Sequence, residues 1–256
     1  FRVRFSNYCR PTRMIMVNRF SRLIGTLIDR AAALQHIASQ CILCAAPGQK
    51  GLDLCLPCQL DLPALTQCCQ QCALPLFDHK AYCGQCLLST PAYQRVEAPW
   101  LYQPPIAQLI SRFKYSRQYS IGKVLSNIAA RRYASAYIDQ KLPDLIVPIP
   151  LHWSRQTIRG FNQSEHLARY YSHHFNIPMK RFLKRCRPTA AQQMLTADQR
   201  CSNMKGAFQM CGDVAGKLVA VVDDVMTTGT TVSEASQCLL KAGATEVHIW
   251  CLARTE

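Results

Sequence analysis

Two adjacent carboxylates followed by a loop rich in hydroxyl groups form the most informative stretch of the sequence. Asp223 and Asp224 end an apolar segment, and residues 225–231 then read Val-Met-Thr-Thr-Gly-Thr-Thr. A helix that begins after such a loop offers free N–H groups and the positive end of its dipole, which favour a phosphate. Carboxylates accept hydrogen bonds from sugar hydroxyl groups, directly or through water on Mg²⁺. The arrangement predicts a site for ribose 5-phosphate.

The loop residues have separate expected roles. Gly229 lets the backbone approach an anion closely because it has no Cβ, and the threonine hydroxyl groups add donors. The alternative is an ordinary helix start preceded by incidental acids, and the order of strand, acids, threonine loop and helix argues against it. The predicted phosphate-binding residues of this segment are Val225, Thr227, Thr228, Gly229, Thr230 and Thr231.

Two loops supply the cations that a diphosphate group requires. The segment after the predicted strand 144–149 carries Arg155 and Arg159, and a polar stretch at 185–205 contains Arg187. We expect the first loop to bind the diphosphate, and the second to be a mobile loop that closes and excludes water. Arg155 therefore joins the predicted phosphate ligands. The predicted catalytic residues are Asp223, Asp224, Arg159 and Arg187.

Eight of the fifteen cysteines form four Cys-x2-Cys pairs with an internal repeat. The spacing C-x2-C-x10-C-x2-C that begins at Cys41 recurs 28 residues later, at Cys69. A zinc ion takes four tetrahedral ligands, and each pair supplies half of them. The spacing predicts two structural zinc ions but does not decide whether neighbouring pairs or pairs one and three share a metal. The predicted ligands are Cys41, Cys44, Cys55, Cys58, Cys69, Cys72, Cys83 and Cys86.

Composition divides the chain into three parts. Residues 1–40 carry seven Arg and one acidic residue, and we expect a basic arm that is disordered or partly upstream of a native start at Met14 or Met16. Residues 41–90 hold too few apolar side chains for a core without metal, so zinc should supply folding energy. Residues 91–256 have the pattern of an α/β domain.

Apolar periodicity predicts the elements that position these groups. The last three predicted elements form a β-α-β unit, so the sheet should be mainly parallel. Asn162 is a good N-cap for the helix that follows it. The predicted strands are 97–103, 144–149, 179–184, 217–223 and 245–252, and the predicted helices are 105–115, 120–138, 163–175 and 231–242.

The chain is strongly basic, with 30 Lys and Arg against 15 Asp and Glu. Such a surface favours polyanions, and charge alone does not distinguish nucleic acid from the phosphates of a small substrate. Phe77 and Tyr82 are candidates for stacking on bases, while a purely structural cysteine module is equally compatible with the sequence. No apolar run is long enough to span a bilayer, so we expect no membrane insertion.

In combination, the cysteine pairs, residues 147–150 (VPIP), 159–164 (RGFNQS) and 221–231 (VVDDVMTTGTT) resemble the ComF family, particularly its enterobacterial GntX type. The resemblance runs from about Cys41 to the carboxy terminus. It implies a type I phosphoribosyltransferase fold that binds phosphoribosyl diphosphate (PRPP) with Mg²⁺. Lys114, within Phe-Lys-Tyr, resembles a basic position of the family and is a candidate phosphate contact.

The resemblance also implies a cytoplasmic protein associated with competence and the use of external DNA. Two hypotheses follow. The chain transfers phosphoribosyl from PRPP to an unknown acceptor, or it is a non-catalytic accessory protein that binds single-stranded DNA and keeps the PRPP site as a sensor or relic. Proteins of DNA uptake or recombination are the partners that the resemblance implies. A repressor function lacks support, because the sequence has no helix-turn-helix pattern.

Overall fold

The computed structural model of the chain describes residues 39–78, 80–116, 118–151, 160–186 and 206–256. Several sequence predictions lie outside these ranges. They are the basic arm up to residue 38, the arginines Arg155, Arg159 and Arg187, and most of the polar stretch 185–205.

The described residues form six helices and seven strands. The helices are α1 (Leu56–Leu60), α2 (Gly84–Leu88), α3 (Ile106–Tyr115), α4 (Tyr119–Ala136), α5 (Gln163–Phe175) and α6 (Thr230–Lys241). The strands are β1 (Arg95–Glu97), β2 (Trp100–Leu101), β3 (Leu145–Pro148), β4 (Leu183–Arg185), β5 (Phe208–Met210), β6 (Leu218–Met226) and β7 (Glu246–Arg254).

A parallel sheet with the strand order β1-β7-β6-β3 forms the centre of the α/β domain, and β2 pairs with β7 beyond β1. Strands β4 and β5 form a separate antiparallel pair. The predicted α/β class with a mainly parallel sheet is confirmed. The carboxyl ends of parallel strands meet at one edge, which is where ligands bind in open α/β sheets.

Helices cover both faces of the sheet because its central strands are apolar on both sides. Along β6, Ala220 and Val222 pack with α3, α4 and α5, whereas Val219 and Val221 pack with α6. Trp250 of β7 is fully buried on the first of these faces. The continuous apolar run is typical of a strand buried on both sides.

Helix α5 begins and ends at asparagines that satisfy its backbone. The Asn162 side chain accepts a hydrogen bond from the backbone N–H of Ser164, and Asn176 ends the helix with φ 54°. Asparagine tolerates the left-handed conformation better than most residues. The predicted boundaries of this helix, with Asn162 as N-cap, are confirmed.

The two halves of the cysteine module extend different faces of the core. We call residues 39–62 the first ribbon and residues 64–90 the second ribbon. Leu52 and Leu54 of the first ribbon belong to the cluster that holds α3, α4 and α5. Leu65 and Ala73 of the second ribbon belong to the cluster that holds α6. Each ribbon therefore adds apolar residues to one side of the sheet.

Three strand predictions were wrong in part. The predicted strand 97–103 is divided into β1 and β2 around Pro99, since proline has no N–H for the ladder. The predicted strand 179–184 contributes only β4, which pairs with β5, a strand that the sequence did not predict. The predicted strand 217–223 continues to Met226, so both acids lie inside β6 rather than at its end.

Candidate functional site

The acid pair lies near the carboxyl end of β6, where the strand ladder is interrupted. Strand β6 pairs with β7 up to Asp223 and again from Val225, and Asp224 is passed over. Val222 and Val225 accordingly both pack on the face that holds α3, α4 and α5. A regular strand would turn adjacent side chains to opposite faces. The interruption explains how both carboxylates contact helices of the same face.

Asp223 is held by the start of α5. Its Oδ1 accepts hydrogen bonds from Ser164 Oγ and from the Asp224 backbone N–H, both at 2.9 Å. Asn162 Nδ2 donates to the Ile149 carbonyl at 3.0 Å and so ties α5 to the end of β3. Ser164 belongs to the RGFNQS segment, but no local pattern indicated that its partner lies 59 residues away.

Lys114 forms a largely buried ion pair with the second acid. Its Nζ lies 3.0 Å from Asp224 Oδ2, and the side chains are only 16% and 12% exposed. Burial alone would lower the pKa of Lys114, but the carboxylates of Asp224 and Asp223 outweigh it and raise that pKa. Lys114, a candidate phosphate contact from the sequence, therefore lies against the carboxylates and keeps its charge.

The two acids differ in their surroundings. Burial raises the pKa of Asp223 to about 6, and the neighbouring charge of Asp224 adds to the rise. Asp224 is the acid that pairs directly with Lys114. Near neutral pH the Asp223 carboxyl thus exchanges its proton readily, and binding of a cation or a sugar diol favours its ionised form.

The threonine loop, residues 227–230, runs from the end of β6 to the first residue of α6. Gly229 precedes α6 and has φ 77°. No side chain of the described residues caps the first turn of α6. A Cβ on Gly229 would lie 2.6 Å from Met226 Cε and 3.2 Å from the Tyr93 hydroxyl. Thr228 and Thr230 share a hydrogen bond of 2.9 Å between their Oγ1 atoms. Position 229 favours glycine for its left-handed backbone conformation, and a Cβ there would also require the Met226 methyl group to move.

The threonine loop also lines a cavity of about 560 Å³ between the α/β domain and the second ribbon. Thr228, Gly229 and Thr230 contribute one wall, and Cys72 and Cys86 of the second ribbon contribute another. The loop is therefore at an opening of the molecule and not in the hydrophobic interior.

Each ribbon brings its four cysteines together as a possible metal centre. The sulfur atoms of Cys41, Cys44, Cys55 and Cys58 lie within 4.8 Å of one another, and so do those of Cys69, Cys72, Cys83 and Cys86. Tetrahedral ligands at 2.3 Å from zinc are about 3.8 Å apart. The Cys44–Cys55 and Cys72–Cys83 distances, both 3.6 Å, fit that geometry. Neighbouring pairs share a cluster, which excludes the alternative with pairs one and three.

Backbone N–H groups support thiolates in both clusters. Burial opposes the ionisation of Cys69, but hydrogen bonds from the backbone of Cys72 and Cys83 outweigh it and lower its pKa to about 7. The pKa of Cys41 is likewise lowered to about 6 by backbone groups that outweigh burial. Burial instead raises the pKa of Cys72 to about 11, and the neighbouring sulfur atoms raise the pKa of Cys58. Zinc binds the thiolate form, and it is the four-sulfur geometry that suits both clusters to structural zinc. Cys68 remains outside the second cluster.

Residues 37–87 match the double zinc ribbon domain family, and residues 162–256 match the phosphoribosyl transferase domain family. DNA utilization protein YhgH of Escherichia coli is 37% identical over 219 residues, which cover 84% of this chain and 96% of that protein. Competence protein F of Haemophilus influenzae is 35% identical and covers 78% and 90%, respectively. Competence protein ComFC of Bacillus subtilis is 25% identical and covers 91% and 96%. The similarity thus includes the ribbons and the α/β domain.

None of the helices in the described ranges is both long enough and apolar enough to cross a bilayer.

Proposed function

The chain belongs to the ComF family, and on that premise we propose that its α/β domain binds PRPP together with Mg²⁺. Asp223 and Asp224 accept hydrogen bonds from the ribose 2′ and 3′ hydroxyl groups, directly or through water on the Mg²⁺. The threonine loop and the start of α6 bind the 5′-phosphate. One arrangement carries the proposal. The carboxylates of Asp223 and Asp224 contact α5 and α3 on the same face of the sheet, and the start of α6, which has no side-chain cap, follows a few residues later.

Lys114 prepares the acid pair for this ligand. Its ammonium group compensates the carboxylates before binding, so that two neighbouring acids can remain buried and close together. Mg²⁺ bound together with PRPP would supply part of that compensation. Lys114 then lies beside the ribose and can contact its phosphate groups.

We further propose that the domain transfers the phosphoribosyl group to an unknown acceptor. The bond between ribose C1′ and the diphosphate breaks, and a bond from C1′ to the acceptor forms. Arg155, Arg159 and Arg187 are proposed to stabilise the negative charge of the leaving diphosphate. The threonine loop holds the 5′-phosphate, and this remote binding orients C1′.

The experiment is incubation with PRPP, Mg²⁺ and a panel of free bases and nucleic acids, with diphosphate release as the readout. We expect one class of acceptor to stimulate diphosphate release, and Asp223→Asn/Asp224→Asn to abolish it. Binding of PRPP without stimulated release by any acceptor would favour the non-catalytic alternative, in which the site is a sensor or relic.

Binding of single-stranded DNA is a second candidate function, supported by charge and by exposed aromatic rings. The formal net charge is +15, and the second ribbon exposes 96% of Phe77 and 42% of Tyr82. Bases stack on such rings with about 1–3 kcal/mol each. We expect Phe77→Ala to weaken binding about fivefold or more. Leu88→Ala, at a 92% exposed aliphatic side chain, is the control and should have little effect.

The names of the relatives extend this second candidate. Some relatives are named for DNA utilization and for competence. We propose that the chain acts in the cytoplasm with proteins of DNA uptake or recombination. The salt dependence of DNA affinity tests the electrostatic part, because each released counterion makes binding more sensitive to salt. An affinity that does not change with salt would contradict the hypothesis that the basic surface binds DNA.

A further inference from the structure

Arg254, at the end of β7, connects the second ribbon to the threonine loop. Its side chain is almost completely buried, with 6% of the residue exposed. Nε donates to the Cys72 carbonyl at 3.1 Å. Nη1 donates to the Met226 carbonyl at 3.3 Å and to the Thr227 carbonyl. One guanidinium group therefore touches a metal-ligand residue and the two peptide groups that open the threonine loop.

These contacts determine where the amide groups of the loop point. In a trans peptide, the carbonyl of one residue and the N–H of the next residue face opposite directions. Since the carbonyls of Met226 and Thr227 turn toward Arg254, the N–H groups of Thr227 and Thr228 turn away from it. Successive N–H groups that face one side form a nest for an anion. The Met226 carbonyl also accepts a hydrogen bond from the Thr255 backbone N–H at 3.0 Å, so the backbone shares in holding that peptide. Among the described hydrogen bonds, Arg254 is what holds the Thr227 peptide plane at the proposed phosphate site.

A second contact connects the same ribbon to the same loop. Gln71 Nε2 donates to the Tyr93 carbonyl at 3.2 Å. The Tyr93 hydroxyl in turn lies beside Gly229, 3.2 Å from where a Cβ would be. Gln71 and Cys72 are adjacent and belong to one Cys-x2-Cys turn. Metal binding to that turn orders both residues, because its two thiolates are held in one geometry.

We propose that Arg254 is a positioning residue that couples the second four-cysteine cluster to the threonine loop, so that metal in this cluster strengthens binding of the 5′-phosphate. The inference rests on the proposed function of the loop as a PRPP site. Coupling between two ligands is reciprocal, so PRPP must also strengthen retention of this metal. The first cluster has no such connection, because Arg254 contacts only the second ribbon among the described residues of the two ribbons.

The test measures zinc release from the full chain to a chromogenic chelator, with and without saturating PRPP and Mg²⁺. We expect two zinc equivalents with different behaviour. PRPP should slow release of one equivalent by about fivefold or more and leave the other unchanged, which provides an internal control. This experiment uses the wild-type chain, so it does not depend on the folding of any variant. If PRPP changed the release of neither zinc equivalent, the coupling would be overturned.

Arg254→Lys identifies the residue that carries the coupling. An ammonium group keeps the charge but lacks the planar fork that reaches four carbonyls, those of Cys72, Met226, Thr227 and Thr255. We expect two bound zinc ions, PRPP affinity about tenfold weaker, and no slowing of zinc release at saturating PRPP. Arg95→Lys, at the opposite end of the parallel sheet, should change neither readout. A merely structural Arg254 would lower stability without changing the response of zinc release to PRPP.

The outcomes separate this inference from the proposed function. If the wild type binds PRPP, Asp223→Asn/Asp224→Asn does not, and Arg254→Lys behaves like the wild type in both readouts, only the coupling fails. If the wild type does not bind PRPP, the proposed function fails and the coupling fails with it.

Discussion

The two ribbons have the same ligand spacing but different surroundings. In the first cluster Cys44 is exposed and Cys58 is partly exposed, whereas all four cysteines of the second cluster are buried. The first ribbon packs on the face of α3, α4 and α5, and the second lines the cavity beside the threonine loop. A repeat that is uniform in sequence therefore has two roles, one in extending the core and one in supporting the proposed site.

The largest effect on PRPP affinity should come from the substitution of equivalent cysteines in the two ribbons. Cys83→Ser removes a ligand of the second cluster, whose Cys72 and Cys86 line the cavity beside the threonine loop. Cys55→Ser removes the equivalent ligand 28 positions earlier. We expect Cys83→Ser to weaken PRPP binding more than about tenfold, because the Cys72 turn loses its order. Cys55→Ser should mainly lower thermal stability. Calorimetry with PRPP and zinc analysis measure both, and equal losses of affinity would contradict the division of roles.

The ion pair at the site can be compared with one on the second ribbon. Asp224→Asn leaves the buried Lys114 charge without its partner, and we expect a loss of about 3 kcal/mol in the free energy of unfolding. Asp78→Asn breaks a pair with Lys80 whose side chains are 51% and 72% exposed, and its effect should be much smaller because solvent screens the pair. Denaturant titration measures the difference. Similar values for both variants would show that the site pair is solvated.

Two glycines with positive φ sharpen the comparison further. Gly51 of the first ribbon has φ 75° with open space around its missing Cβ, while Gly229 has φ 77° and close neighbours. Gly51→Ala should cost only the backbone strain, about 1 kcal/mol. Gly229→Ala should cost about 1 kcal/mol more and also weaken PRPP binding. Thermal unfolding and calorimetry test this, and unchanged PRPP affinity in Gly229→Ala would place the phosphate elsewhere.

The smallest effect concerns the pH dependence of stability. Asp223 has a folded pKa of about 6, above its unfolded value near 3.9, so its contribution to stability is present at low pH and is lost as the pH rises through 6. Asp223→Asn should therefore be more stable than the wild type by about 1–2 kcal/mol at pH 7.5. This advantage should fall by about half at pH 5. Urea titrations at the two pH values measure it, and an advantage independent of pH would exclude Asp223 as its source.

Local patterns in the sequence predicted much of this molecule. The continuous apolar run of β6, the N-cap at Asn162 and the repeated cysteine spacing are local signals, and each indicated the correct element or cluster. The choice between neighbouring and crossed cysteine pairs required the fold, because spacing alone suits both.

The contacts that organise the site join distant parts of the chain and leave no local signal. Lys114 and Asp224 are 110 positions apart, and Arg254 lies 182 positions from Cys72. Asp224 is left out of the pairing between β6 and β7 although the register is the same on both sides of it, and periodicity did not indicate this interruption. The roles of the acids, the threonine loop and the arginines of the two loops remain predictions.

Calorimetric titration of PRPP with Mg²⁺ into the wild type and into Asp223→Asn/Asp224→Asn tests the central claim most directly. We predict micromolar affinity (dissociation constant of about 1–100 µM, or about 5–8 kcal/mol) for the wild type and no measurable binding for the double variant. Unchanged affinity in a folded double variant with two bound zinc ions would contradict the assignment of the site.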